Sequence, residues 1–226
     1  MKKLLLILLC LPFIGFGQTE KKKEIDLYET GPFRNYYDNG QLKSEGYKQS
    51  GGSIGLWIDY YDNGQIKHKS FRSLLFDGPF EGWYKNGQLK SEGLFKNGNK
   101  EGFWRFYYGN GQLESEGFFV IPKDGLLYYE SIADPNINKG ERSGQWNFYY
   151  ENGQLKEESI WPDGYYKSYY KNGQLEYDGS YINNEASGTW KYYYENGQLN
   201  RYSSLKNGDE IEAKCWDDVG KIIKCE

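Results

Sequence analysis

The chain has 226 residues and a formal net charge of −4, with acidic and basic residues interspersed along its length. Aromatic residues make up 19% of the sequence, with 23 Tyr among them, whereas the hydrophobic fraction is only 38%. This composition excludes the basic face of a nucleic-acid-binding protein and is too low in apolar residues for a thick central core. It favours a structure that buries its side chains between neighbouring strands.

The N-terminus has the layout of a secretory signal peptide. A basic start at residues 2–3 precedes an apolar run over residues 4–16, and residues 15–17 offer a small-x-small cleavage site. The apolar run is shorter than the roughly 20 residues that a membrane-spanning helix needs. We therefore predict a signal peptide over residues 1–17, with export to the periplasm, the cell envelope or the extracellular medium. The polar residues 18–30 are predicted to be a disordered lead-in.

From residue 31 onward the chain repeats one motif, an aromatic pair followed by x-Asn-Gly-Gln-Leu/Ile. The first copy is Tyr36-Tyr37-Asp38-Asn39-Gly40-Gln41-Leu42. The turn glycines are 24, 23, 24, 42, 20 and 24 residues apart: Gly40, Gly64, Gly87, Gly111, Gly153, Gly173 and Gly197. A further Gly stands nine residues before each of them, and an aromatic residue follows two residues later: Phe33, Trp57, Phe80, Trp104, Trp146, Tyr166 and Trp190. Repetition at this period indicates a repeat architecture.

Each unit is predicted to form a β-hairpin, because Asn-Gly between two aromatic-rich runs favours a type I′ turn with positive φ at both central residues. We favour a two-residue turn, which places Tyr108 opposite Leu113 and gives the hairpin one clean apolar face. A three-residue loop with a Gly bulge would instead place Tyr108 opposite Gln112. Second turns such as residues 96–98 return the chain, so that successive hairpins pair into an antiparallel meander.

Two units depart from the repeat. The wide spacing before Gly153 predicts a degenerate unit near residues 125–138, and residues 206–226 are predicted to form a terminal cap. The cap contains Cys215 and Cys225, which could form a disulfide after export. A two-residue turn would put the two cysteines on opposite faces, whereas a three-residue loop would make them diagonal neighbours on one face, so a disulfide and two free thiols are both open. The predicted fold is all-β, an elongated single-layer antiparallel β-meander of about nine tandem hairpins over residues 31–226.

The repeated motif resembles the MORN repeat, specifically its bacterial variant. The clearest copy is Gly102 to Gly117 with its lead-in at residues 96–98, and the resemblance covers about residues 31–226. It implies an elongated antiparallel sheet that contacts other proteins and, in some eukaryotic members, membranes. Bacterial proteins similar to this chain are commonly grouped as antitoxins of toxin–antitoxin systems. The family has no catalytic motif to transfer to this chain.

The candidate catalytic groups all have a structural interpretation. His68 is the only histidine and has no partner constellation, so it is predicted to be a surface residue. Glu45, Glu92 and Glu116 recur at one repeat position, where solubilising edge residues are expected, and no pair in one pocket is indicated for acid–base chemistry. We predict no catalytic residue, no cofactor and no metal site, and hence no enzyme.

The aromatic rows have two interpretations. They stabilise the sheet through cross-strand contacts, or they bind a partner through Trp57, Trp104, Trp146 and Trp190. We predict an exported protein-binding or scaffold module. The alternatives are an antitoxin- or immunity-like protein that neutralises a toxin, and a module that binds glycans or another envelope component. Specific function is expected where the copies differ, namely residues 119–143 and the cysteine-bearing last unit.

Overall fold

A computed structural model of the protein describes residues 29–73, 77–121 and 140–225. The predicted signal peptide, nearly all of the lead-in and the degenerate unit near residues 125–138 lie outside these residues. Within the described ranges, no helix is long and apolar enough to cross a membrane.

The described residues form one open antiparallel sheet of 16 strands, whose order in space is their order in sequence. Eight successive hairpins therefore build a meander, which confirms the predicted all-β repeat fold. The strands are β1 Gly31–Tyr36, β2 Leu42–Gln49, β3 Gly52–Tyr60, β4 Ile66–Arg72, β5 Gly78–Trp83, β6 Leu89–Lys96, β7 Asn99–Tyr107, β8 Leu113–Val120, β9 Glu141–Tyr149, β10 Leu155–Trp161, β11 Gly164–Tyr169, β12 Leu175–Ile182, β13 Glu185–Tyr193, β14 Leu199–Lys206, β15 Asp209–Trp216 and β16 Ile222–Ile223.

The turn inside each repeat is a three-residue loop, so the predicted two-residue turn is wrong. Between β7 and β8, the Tyr108 N–H donates to the Gln112 carbonyl at 2.8 Å, and the Gly111 N–H donates to the Tyr108 carbonyl at 2.9 Å. Of the loop residues only Gly111 has positive φ, at +87°. Asn110 accepts a 2.9 Å bond from the Gln112 N–H through Oδ1. This Asx contact favours a type I turn with a Gly bulge over the type I′ turn.

Type I′ turns do occur, but at the opposite ends of the strands. Between β6 and β7, Asn97 and Gly98 both have positive φ, at +50° and +71°, and Lys96 pairs with Asn99. The same pair of positive angles occurs at Ser50-Gly51, Asn183-Asn184 and Asn207-Gly208. The type I′ turn predicted for the Asn-Gly of the repeated motif is thus found in the second turns, which connect one hairpin to the next.

The core is a layer of aromatic side chains on one face of the sheet, which we call the inner face. Trp104 and Trp146 are each 1% exposed and pack with Phe119. Rings stack along the sheet, with centroids 5.9 Å apart for Trp104 and Phe106, and 6.5 Å apart for Phe106 and Trp146. Such pairs add about 0.5–1.5 kcal/mol each to the effect of burial. Ring stacking between repeats therefore stabilises this single sheet, as packing against a second sheet stabilises a β-sandwich.

A simple size rule relates the residue at the Trp position of each described repeat to the strand that precedes it. Trp146 lies against Gly117 of the preceding strand, where a Cβ would come within 2.3 Å of the indole Cδ2. The indole Nε1 also donates to the Phe118 carbonyl at 3.0 Å. Toward the following repeat, glycine lies against Trp and serine lies against a smaller residue: Gly46–Trp57, Gly93–Trp104, Gly117–Trp146, Gly179–Trp190, then Ser70–Phe80, Ser159–Tyr166 and Ser203–Ala213.

The second Tyr and the Asn of the motif link consecutive repeats along one edge of the molecule. Tyr108 Oη donates to the Tyr149 carbonyl at 2.7 Å, and Asn110 Nδ2 donates to the Glu151 carbonyl at 3.1 Å. These two bonds join repeats that flank the wide gap in the sequence, and β8 pairs directly with β9. The tyrosine bond recurs from every motif copy at 2.7–2.9 Å: Tyr37, Tyr61, Tyr84, Tyr108, Tyr150, Tyr170 and Tyr194.

The last unit keeps the three-residue loop although its sequence has diverged. Asp217 takes the role of the motif Asn, since its Oδ1 accepts bonds from the N–H groups of Val219 and Lys221 at 3.2 and 2.7 Å. This geometry brings Cys215 and Cys225 together, with Cα atoms 5.3 Å apart, and a disulfide joins them.

Candidate functional site

The four tryptophans considered as binding residues belong to the core. Trp57 and Trp190 are 4% exposed, and Trp104 and Trp146 are 1% exposed. Their rings are covered by neighbouring repeats, so a partner cannot reach them without opening the sheet. This burial corrects the binding interpretation of these four residues and supports the structural one.

The opposite face, which we call the outer face, has a row of mostly charged side chains across the sheet. Arg34 pairs with Glu45 at 3.2 Å, Arg105 with Glu116 at 3.2 Å, and Lys167 with Glu158 at 3.0 Å. The ionic row comprises residues that are direct neighbours in strand register: Arg34, Glu45, Ile58, Lys69, Glu81, Glu92, Arg105, Glu116, Asn147, Glu158, Lys167, Asp178 and Lys191. Exposed pairs of this kind contribute about 0–1 kcal/mol each.

The first aromatic residue of the motif binds the acid of the preceding repeat. Tyr60 donates to Glu45, and Tyr107 donates to Glu92, both at 2.7 Å. Where the acid is replaced by Lys69, the motif has Trp83, and the ammonium lies 5.1 Å from the indole centroid. The recurring glutamates are therefore bonded residues within the sheet, and their expected role as solubilising edge residues is wrong.

These tyrosine–glutamate bonds predict a pH dependence. The bond from Tyr60 lowers the pKa of Glu45, while burial and Glu45 raise the pKa of Tyr60 to about 12. A tyrosine with a raised pKa stabilises the fold below its unfolded pKa of about 10, and this stability is lost as the pH rises through 12. The lowered pKa of Glu45 stabilises the fold above about pH 4.5, and this contribution is lost in acid. We expect urea unfolding to show that the free energy of unfolding falls both in acid, below about pH 4.5, and in alkali, as the pH rises from about 10 through 12.

The control for this prediction is a variant that removes two of the hydroxyls. Tyr107 also has its pKa raised to about 12, by burial and by its bond to Glu92. The double substitution Tyr60→Phe and Tyr107→Phe is expected to reduce the alkaline slope of the free energy of unfolding. An unchanged slope between pH 10 and 12 would show that these tyrosines do not titrate as described.

A second row on the outer face is apolar and exposed. Phe103 and Phe118 face each other with centroids 5.1 Å apart, yet they are 39% and 50% exposed. The apolar row comprises the pairs Pro32–Tyr47, Leu56–Phe71, Pro79–Leu94 and Phe103–Phe118 on β1 to β8. Farther along, most of the same positions become polar, with Gln145 opposite Ile160, Tyr165 opposite Ser180 and Thr189 opposite Ser204. The apolar row occupies positions that vary from one copy of the motif to the next. That variation was the only feature of the sequence that could have indicated this surface.

The inner face has a pocket of about 430 Å³ between β9 and β12. Arg142, Phe148 and Trp161 line it together with Tyr166, Tyr177 and Tyr181, and Glu157 and Ser159 lie between these groups. We call this the inner pocket. It forms in the unit with the shortest spacing, where Tyr166 replaces the usual Trp and Ser159 replaces the usual Gly. These replacements and the 20-residue spacing are visible in the sequence, but by themselves they do not indicate a site.

Hydrogen bonds fix the polar groups of the inner pocket. Tyr166 Oη donates to Glu157 Oε2 at 2.7 Å, Ser159 Oγ donates to Glu157 Oε1 at 3.3 Å, and Trp161 Nε1 donates to Ser159 Oγ at 3.0 Å. Burial and the bond to Glu157 raise the pKa of Tyr166, so it stays a hydroxyl donor at neutral pH. The Arg142 guanidinium lies 4.9 Å from the Phe148 ring centroid. The pocket thus offers a carboxylate acceptor and a guanidinium donor among aromatic rings.

His68 has partners, so its interpretation as an isolated surface residue is wrong. Its Nε2 lies 2.7 Å from Asp59 Oδ2, Arg72 lies 3.1 Å from the same oxygen, and its ring stacks on Phe80. Burial would raise the pKa of Asp59, but the bond from His68 and the charge of Arg72 outweigh it and lower the pKa. The described residues include no group of three or more His, Cys, Asp or Glu side chains that could hold a metal ion.

Comparison with known families agrees with this geometry. A family model described as MORN repeat variant matches seven ranges, residues 29–47, 54–72, 76–97, 100–120, 142–161, 162–183 and 186–207. The chain belongs to the MORN repeat variant family. MORN repeats are generally non-enzymatic repeat modules. No curated protein matches the chain.

Proposed function

We propose that the protein is an exported, non-enzymatic MORN-variant module that binds another protein through its outer face. The observation that supports this proposal most directly is the apolar row on β1 to β8, with Leu56 56% and Phe118 50% exposed. Contiguous exposed apolar side chains bordered by polar residues mark interaction sites on soluble proteins. The matching positions on the later strands are polar except for Ile160, so the repeat itself does not require apolar residues there.

The two rows of the outer face have complementary roles in this proposal. The apolar row crosses eight strands, a length of roughly 34 Å at about 4.8 Å per strand, which suits a standard protein interface. Burial of its side chains supplies affinity, at about 25 cal/mol per Å² of apolar surface. The neighbouring ionic row carries charges of both signs, and such a pattern sets the register and selects the partner. The partner should therefore present an apolar strip flanked by charges of both signs.

Two observations support export. The first 17 residues have the layout of a signal peptide, and the last unit has a disulfide between Cys215 and Cys225. Disulfides persist in oxidising compartments such as the periplasm. Fractionation of cells expressing the tagged chain should recover it outside the cytoplasm, with Gln18 as its N-terminal residue. Recovery of an uncleaved chain from the cytoplasm would contradict export.

A matched capture experiment tests the binding function. The tagged protein is crosslinked in its native cells, purified, and its partners are identified by mass spectrometry. The double substitution Phe103→Ser and Phe118→Ser should reduce recovery of the specific partner at least tenfold. The control is Ile182→Ser with Ile211→Ser, which changes exposed apolar residues outside the row. Equal recovery with both double variants would contradict the proposal, and a toxin as the captured protein would identify the chain as an antitoxin.

A further inference from the structure

We propose that the inner pocket binds a neutral pyranose unit of an oligosaccharide. This site lies on the face opposite the apolar row, and it does not depend on a protein partner. The first argument is its shape. A volume of about 430 Å³ falls in the range of small-molecule sites, and the pocket occurs where the aromatic layer is locally incomplete.

The walls of the inner pocket match the apolar faces of a sugar ring. Phe148, Trp161, Tyr166 and Tyr181 contribute one ring from each of the four strands β9 to β12. Rings with polar tips suit a ligand that is apolar on its faces and polar at its edge. The tyrosines here are only partly buried, in contrast to the four buried tryptophans of the neighbouring repeats.

The polar groups select a neutral ligand with many hydroxyls. Glu157 can accept a hydrogen bond, and Arg142 can only donate. The two opposite charges lie in one pocket, so Arg142 disfavours a cation and Glu157 disfavours an anion. A sugar hydroxyl both donates and accepts, and it can therefore bond to either group. Ser159, which is 2% exposed, holds Glu157 and Trp161 in place through its two hydrogen bonds.

Among the described repeats, the combination of pocket residues is found in one. The position of Glu157 is occupied in the other repeats by Ser44, His68, Ser91, Ser115, Tyr177 and Arg201, none of which is a carboxylate. The other serine-for-glycine unit with an aromatic partner contains Ser70 and Phe80. There the nearby carboxylate, Asp59, is paired with His68 at 2.7 Å and with Arg72 at 3.1 Å, and His68 stacks on Phe80 with centroids 5.9 Å apart. The inner pocket is thus a local departure from the repeat and not a consequence of it.

Calorimetric titration of the full chain with four hexasaccharides tests this site. Cellohexaose, xylohexaose, chitohexaose and maltohexaose present glucose, xylose and N-acetylglucosamine as neutral pyranose units, and we expect saturable binding of at least one of them. Glu157→Gln, which preserves side-chain size, and Trp161→Ala should each weaken that binding at least tenfold. The controls are His68→Gln, at the same repeat position as Glu157, and Trp83→Ala on the outer face. Circular dichroism and the thermal midpoint identify any variant that fails to fold.

Two outcomes would overturn the proposal. One is the lack of saturable heat with all four hexasaccharides, and the other is binding that survives both pocket substitutions. The outer-face variant Phe103→Ser with Phe118→Ser separates this proposal from the protein-binding function, since it should keep full oligosaccharide affinity. Conversely, Glu157→Gln should capture the protein partner as well as the native chain does.

Discussion

Replacing Gly117 with Ala is expected to lower the free energy of unfolding by about 3 kcal/mol or more, the range of large core disruptions. The new Cβ would come within 2.3 Å of Trp146 Cδ2. Gly117 pairs with Trp104 on one side and with Trp146 on the other, so the strand has no free direction in which to move. The displaced indole would lose its burial and its bond to the Phe118 carbonyl. Urea unfolding followed by circular dichroism measures the loss.

The control is Gly109→Ala, in the turn of the same repeat. Nothing lies within 4 Å of a Cβ built at Gly109, and its φ is not positive, so we expect a change within about 0.5 kcal/mol. A double-mutant cycle adds a second check. Gly117→Ser combined with Trp146→Tyr reproduces the natural pair Ser159–Tyr166, and it should cost at least about 1 kcal/mol less than the sum of the single changes. Equal losses at Gly109 and Gly117, or strict additivity in the cycle, would contradict the size rule.

The fold could be predicted because every copy of the motif independently indicates the same hairpin. The recurring motif specifies hairpins, and short connections leave the antiparallel meander as the natural arrangement. The turn type could not be decided in the same way. Both Asn110-Gly111 and Asn97-Gly98 are Asn-Gly pairs, and the choice between loop types depends on local contacts, such as the bond from the Gln112 N–H to Asn110 Oδ1. The register of every hairpin depends on that choice.

The candidate sites were harder to predict than the fold, because they depend on which residues share a face. The exposed pair Phe103 and Phe118 occupies positions that vary among the repeats. The adjacent residues Trp104 and Gly117 recur in most repeats and are buried. The tryptophans are prominent candidates for binding in the sequence, but their size and apolarity also make them core residues. The inner pocket results from the absence of a Trp at Tyr166, and its significance depends on the neighbours Arg142 and Glu157, which are 15 residues apart in the chain.

Loss of the Cys215–Cys225 disulfide is expected to release the end of the array. The bond closes a loop with a sequence separation of 10, for which chain entropy gives about 2–3 kcal/mol. Strand β16 has only two residues and pairs through Cys215 and Trp216 alone, so little else holds it. Because a repeat contacts only its neighbours, the loss should stay local. Cys215→Ser with Cys225→Ser should speed amide exchange in β15 and β16 and leave β7 and β8 unchanged. The native protein is the reference, and identical exchange in the native protein and the double variant would show that the disulfide does not hold the cap.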